Sequence, residues 1–246
     1  MKIKVLNYNI QSTVGADRIA DWKRTAEMIR GFNADIIAAE EIGINHGRAP
    51  GVNVPKQIAE SLGMNVIFGK AINVFYDKDK QGEYGIAAFS KYNLELIEKV
   101  FLPIPDKKHE ARCFIVVKVL APKPFYFIVT HFSFQGEFEN DDAYRLDSAK
   151  QITKTVKGKK YFPAILCGDL NTVRGMPAIN YLHNEWDVCN DVEPNTPTAV
   201  SRNCGPCQID FICTYPKKAF DLDSFMITPD QIVSDHKPIS ANLKLK

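Results

Sequence analysis

Ten short apolar segments of strand length, spread from one end of the chain to the other with only three or four helical intervals, constrain the fold most. The segments are Ile3 to Asn9, Asp35 to Glu40, a strand beginning at Val66 to Phe68, Tyr84 to Ser90, Leu94 to Leu102, Cys113 to Leu120, Phe125 to Thr130, Ala164 to Cys167, Ile209 to Thr214 and Ile239 to Leu243. One open sheet of about ten strands tends to curl or split, so two packed sheets with helices outside are expected. Helices are expected on three apolar stripes. The first carries Ile19, Trp22, Ala26 and Ile29; the second lies between Pro55 and Gly63; the third carries Ala143, Leu146, Ala149, Ile152 and Val156. A short fourth helix follows Pro177. The long run of consecutive strands after Val66 implies much antiparallel pairing.

At 246 residues, with no repeat and no Pro/Gly/Ser linker, the chain is expected to form a single domain over 1–246 and to bury a large core. No stretch is long and apolar enough for a transmembrane helix. The 31 Lys and Arg against 29 Asp and Glu leave a net charge of only +2, which does not by itself point to a nucleic-acid partner. No apolar signal core follows Met1, so the sequence as written implies a cytoplasmic protein, or a secreted one if a signal peptide has been removed. A monomer is expected.

Chemistry-bearing residues fall in or beside the apolar strands: Asn7 and Asn9, Glu41, His131, Asp169 and Asn171, Asp210, and Asp235 with His236. Period-two spacing puts Asn7 with Asn9, and Asp169 with Asn171, on common faces, so converging strand ends would bring them to one point. Glu41 offers a hard carboxylate oxygen, the donor Mg²⁺ prefers alongside phosphate and water. Glu40 beside it reads as a solvated strand end. Cys204-Gly205-Pro206-Cys207 has redox-motif spacing but lies in a Pro/Asn/Thr-rich loop, not at the start of a helix. Loop thiols are expected there, ahead of a local disulfide, with a zinc site including Cys189 and Cys213 a distant third.

Seven segments in order resemble the endonuclease/exonuclease/phosphatase superfamily: Tyr8-Asn9-Ile10, Asp35 to Glu41, Tyr84-Gly85 to Ser90, Thr130-His131-Phe132, Gly168-Asp169-Leu170-Asn171, Ile209-Asp210-Phe211 and Ser234-Asp235-His236. The resemblance implies a four-layered α/β sandwich, two packed mixed and mostly antiparallel sheets flanked by helices. It implies a metal-dependent phosphoesterase holding Mg²⁺, with Mn²⁺ as substitute, on Glu41, Asn9 and Asp235. Asp169 would orient or deprotonate the attacking water, Asn171 would bond a phosphoryl oxygen, Asp210 would pair with His236, His131 would be a general acid, and Arg112 would position phosphate.

Two departures bear on the substrate. Gln11 stands where many relatives carry an acid or histidine, and Gln208 where repair nucleases carry arginine. With Glu137, Glu139, Asp141 and Asp142 following His131, they favour a small or exposed phosphoester over duplex DNA. The alternatives are a nuclease acting on DNA or RNA, a sphingomyelinase-like lipid phosphodiesterase using Phe132, Phe134 and Phe138 for lipid entry, and a non-catalytic binding protein on the same fold.

Overall fold

The computed structural model describes residues 1–77, 80–105, 108–134, 138–201, 205–229 and 232–246. Strand β1 (Lys2–Asn9) leads through helix α1 (Trp22–Phe32) to β2 (Ile36–Ile44), and α2 (Val54–Leu62) precedes β3 (Asn65–Asp77), β4 (Lys80–Ser90), β5 (Leu94–Phe101), β6 (Cys113–Val119) and β7 (Phe125–His131). Helix α3 (Phe138–Lys159), β8 (Ala164–Asp169), α4 (Pro177–Glu185), β9 (Asp187–Val188), β10 (Ala199–Ser201), β11 (Gly205–Cys207), β12 (Asp210–Tyr215), β13 (Phe220–Ile227) and β14 (Ile239–Leu245) complete the order. One six-stranded sheet runs β13-β14-β1-β2-β4-β3, the other β5-β6-β7-β8-β12-β9, and β10 pairs with β11 as a separate hairpin.

Alternation along the strands builds four layers. Ile3, Val5, Ile36 and Ala38 of the first sheet meet Ile115, Val117, Phe127, Val129 and Ile165 of the second in the central layer. Their neighbours Leu6, Tyr8, Ile37 and Ala39 face outward onto Ala26, Ile29 and Ile58 of α1 and α2. Phe114, Val116, Ile128 and Leu166 face outward onto Ala149, Ile152, Val156 and Ile179 of α3 and α4. The sandwich read from the sequence is thus the fold. No helix among the described residues is long and apolar enough to cross a membrane.

Several boundaries differ from the sequence reading. Helix α1 starts at Trp22 because the Asp21 carboxylate caps it, accepting from the amides of Lys23 and Arg24, which leaves Ile19 outside the helix and exposed. Ala143 is exposed, while Arg145 on the same helix is buried and donates through Nε to the Ser133 carbonyl at 3.0 Å. Strand β3 runs on to Asp77 through polar Lys70 and Asn73, and β13 was hidden by Asp221, Asp223 and Ser224; both are edge strands, with one face free to be polar. Gly205 to Cys207 forms β11 instead of a loop.

Two parallel pairs fix where the site lies. β1 lies parallel to β2 in one sheet and β7 parallel to β8 in the other, so Asn9, the Glu40-Glu41 segment, His131 and Asp169 reach the same edge of the sandwich. β12 runs antiparallel to β8 with Asp210 opposite Asp169, and β14 runs antiparallel to β1, so the segment before it delivers Asp235 and His236 to that edge. Gly168 makes the β7–β8 approach feasible there, since a Cβ would sit 2.4 Å from the Thr130 carbonyl oxygen.

Candidate active site

The edge opens into a cleft of about 450 Å³ lined by residues of both sheets, among them Glu41, Arg112, His131, Asp169, Asn171, Asp235 and His236. Glu41 sits where the β2–β4 register shifts between Ala39 and Ile42, and its backbone is left-handed, φ 54°. A left-handed non-glycine residue costs roughly 1–3 kcal/mol and persists where its surroundings enforce it. The bulge re-aims two adjacent acids differently. Glu41 lines the cleft, whereas Glu40, expected to be solvated, is fully buried, with neither carboxylate oxygen hydrogen-bonded among the described residues. Burial, reinforced by Asp210 and Asp169, pushes the Glu40 carboxyl well above the usual range. Asn7 is likewise buried and lies outside the cleft lining.

Asn9 ties the two sheets together at the site. Its Nδ2 donates to Asp169 Oδ2 at 3.0 Å and to Glu41 Oε1 at 3.3 Å, while its Oδ1 accepts the Gln11 amide at 3.1 Å. Asp235, more exposed, accepts from Gln11 Nε2 on Oδ2 at 2.6 Å and lies close enough to Glu41 for the two charges to repel. Burial, then that repulsion against the pull of His236, leaves its carboxyl raised. Glu41 and Asp235 present hard carboxylate oxygens at one end of the cleft, the donors a small divalent cation takes, and the buried Asn9 amide orients Glu41 through Nδ2. The residues present fit such an ion.

Two histidines flank Asp169 in opposite charge states. Arg112, a donor only, is 2.8 Å from His131 Nδ1, which must therefore accept and leave the ring proton on Nε2, 3.5 Å from Asp169 Oδ2. Burial, then the charges of Arg112 and His236, push the His131 imidazolium well below the usual range, so the ring is neutral. Arg112 is itself buried, paired with Glu110 at 2.9 Å and lying against the Tyr84 hydroxyl. His236 Nδ1 is 2.9 Å from Asp210 Oδ2, and its Nε2 is 3.7 Å from Asp169 Oδ2. Burial opposes charge on this ring, but Asp210, Asp169 and Asp235 outweigh it and hold the imidazolium well above the usual range. Asp169 itself is pushed up to about 7 by burial and Asp210, against the pull of His236 and its hydrogen bonds from the Asn171 amide and Asn9.

Asn171, left-handed at φ 48°, donates through Nδ2 to the Phe132 carbonyl at 3.1 Å and lines the cleft. Asp169, Asp210 and His236 offer ligand atoms within 4.8 Å of one another and could hold a metal, although the His236 ring already bonds Asp210. Of the residues singled out from the sequence, Glu41, Arg112, His131, Asp169, Asn171, Asp235 and His236 line one cleft, Asn9 and Asp210 hydrogen-bond to these from behind it, and Asn7 does neither among the described residues. Sequence reasoning missed His46 and Arg48, which line it from the segment after β2, and Glu110. His46 stacks against Tyr84, 5.7 Å between ring centroids, a contact between segments far apart in sequence that no local pattern announces.

Other readings are revised. Gln208 is buried in a loop, donating to the carbonyls of Glu193 and Thr196 at 2.8 and 2.9 Å, and does not line the cleft. Phe132 is fully buried, so of the three aromatics only Phe134 shows an exposed side chain at the cleft; the Phe138 side chain lies outside the described residues. Cys189 and Cys213 are buried free thiols, raised by burial, and no zinc-type cysteine cluster occurs among the described residues. Cys207 is buried; Cys204 lies outside the described residues, as do Glu137 and the side chains of Glu139, Asp141 and Asp142.

The endonuclease/exonuclease/phosphatase family model matches residues 6–236. An endonuclease/exonuclease/phosphatase from Beutenbergia cavernae is 19% identical with a TM-score of 0.77, over 99% of this chain and 72% of that one. The human Nocturnin catalytic domain with bound sulfate is 17% identical with a TM-score of 0.71, over 100% and 94%. A mannosyl-6-phosphatase from Bacteroides thetaiotaomicron is 20% identical with a TM-score of 0.69, over 99% and 100%. No curated protein sequence matches the chain.

Proposed function

The chain belongs to the endonuclease/exonuclease/phosphatase family, and on that premise we propose that it is a divalent-metal-dependent hydrolase of small or exposed phosphoesters. The observation that carries this reading is Asp169: one buried carboxylate, raised to about 7, held by Asn9 from the opposite sheet and set between a neutral His131 and a charged His236. A carboxylate near neutrality suits the acceptance of a proton from attacking water.

Glu41 and Asp235, supported by Asn9, would hold Mg²⁺ or Mn²⁺, which when bound supplies positive charge to phosphoryl and departing oxygens. His236 donates a charged hydrogen bond to the phosphoryl group, and Asp210 keeps its ring protonated and oriented. His131, expected to be a general acid, is neutral with Nδ1 occupied; its role is better read as a hydrogen-bond donor through Nε2, fixed by Arg112. Asn171 adds a neutral donor where charge develops.

The cleft walls favour a small substrate. Ile72, Val74, Val200 and Phe134 flank the polar centre, and Arg48 and Arg112 are the only Lys or Arg side chains among its described lining residues. A duplex-binding surface would need several phosphate contacts from Lys and Arg. The mannosyl-6-phosphatase shows that a sugar phosphatase can share the fold. The test is a screen of phosphorylated sugars, nucleotides, lipids and nucleic acids with Mg²⁺ and Mn²⁺. Turnover of a small phosphoester is expected; no turnover of any phosphoester, with ligands bound unchanged, would favour the non-catalytic alternative.

A further inference from the structure

The chain leaves β1 through a turn that no local propensity explains. Gln11, Ser12 and Thr13 are all left-handed, with φ of 47°, 54° and 65°, and none is glycine. Such a run is rare for L-residues, and for β-branched Thr13 it is a true outlier. The turn is enforced from several sides. The Thr13 amide donates to the Ile10 carbonyl at 2.7 Å, the Gln11 amide to Asn9 Oδ1 at 3.1 Å, and the Gln11 carbonyl accepts from the Val14 amide at 3.1 Å and from Arg48 Nη1 at 3.3 Å. Ser12 and Thr13 are buried beneath it.

The outcome of that backbone is the position of one side chain. Gln11 lines the cleft and places Nε2 2.6 Å from Asp235 Oδ2. The contact orients Asp235 between the attraction of His236 and the repulsion of Glu41, with Ser234 Oγ donating to its other oxygen at 3.4 Å. We propose that Gln11 is a positioning residue, held by the left-handed turn so that its amide keeps the Asp235 carboxylate beside Glu41 as one half of the cation site. This rests on the metal-dependent reading above. A glutamine at this place provides a neutral donor where an acid would add a third negative charge. It keeps two carboxylates together without raising the charge of the ion-free site, and its function is pre-organisation for the cation, not contact with substrate.

The test uses an isosteric change that keeps the packing and removes the donor. Gln11→Met should melt, free of divalent ions, within a few degrees of the parent, yet bind Mn²⁺ roughly 10-fold more weakly by titration calorimetry. Gln11→Glu should do the reverse, melting lower without the ion, binding Mn²⁺ more tightly and gaining more in Tm on its addition. At saturating Mn²⁺ the Gln11→Met rate should recover to within about 3-fold. If Gln11→Met binds Mn²⁺ within 2-fold of the parent, or loses stability without losing affinity, the side chain serves the turn alone and the inference fails while the metal site stands. If the parent protein binds no divalent ion, the metal-dependent reading falls with it.

Discussion

At the residue scale, the two histidines divide their labour by environment. His131 is kept neutral by burial and an arginine; His236 is kept charged by Asp210, Asp169 and Asp235. Replacing either by alanine should lower kcat/KM by about 10²-fold or more, the scale of positioned proton and hydrogen-bond donors. Asp210→Asn should act through His236, so the double variant Asp210→Asn/His236→Ala should lose little more than His236→Ala alone; multiplicative losses in a double-mutant cycle would separate the two. Asp169 makes a pH prediction. Its raised carboxyl is protonated, and unable to accept a proton, below about 7. Thus kcat/KM should fall as pH falls through that region, and Asp169→Asn should leave only a slow, flat residue of activity across a pH–rate profile. The charged residues that make up this logic were legible in the sequence because they interrupt apolar strands. Their charge states were not, because Arg112 and His131 are 19 positions apart and Asp210 and His236 are 26 apart.

At the scale of elements, the site exists because two parallel strand pairs, β1 with β2 and β7 with β8, end at the same edge. The sequence showed strand ends bearing polar groups, but pairing partners are long-range and leave no periodic trace. The Glu40/Glu41 inversion has the same origin: alternation predicts which residues share a face until a bulge shifts it, and the register shift after Ala39 is not readable from Ala-Ala-Glu-Glu-Ile. Edge strands β3 and β13 were under-read because a solvated face admits Lys70, Asn73, Asp221 and Asp223. Gly168 is the element-scale control. Its Cβ substituent would press against the Thr130 carbonyl at the closest approach of β7 and β8. Gly168→Ala should destabilise the fold by about 1–3 kcal/mol, the usual cost of overpacking, in urea denaturation. It should lower kcat as well, since Asp169 is the next residue; an unchanged Cm would show that the strands can part without cost.

At the scale of the molecule, the count of apolar segments was enough to predict two packed sheets, because a single sheet of that many strands could not stay open and covered. The four layers follow from strict alternation on the central strands, where Ile3 and Val5 face in and Leu6 and Tyr8 face out. Net charge of +2 and a cleft with two arginines among its described lining residues predict weak use of duplex DNA. Cleavage of a small phosphoester should change little between 50 and 200 mM salt, whereas a duplex-specific nuclease loses affinity by orders of magnitude over that range. Steeply salt-sensitive duplex cleavage with small esters untouched would reassign the substrate. The central claim, hydrolysis dependent on a divalent ion held at Glu41, is tested most directly by one assay on the best small phosphoester. Turnover is compared for the parent protein and Glu41→Ala, after extensive chelation and after Mg²⁺ or Mn²⁺ is restored. The account predicts that chelation abolishes turnover without unfolding the protein, that the ion restores it in the parent, and that Glu41→Ala stays at least 10²-fold down; full activity surviving both chelation and Glu41→Ala would contradict it.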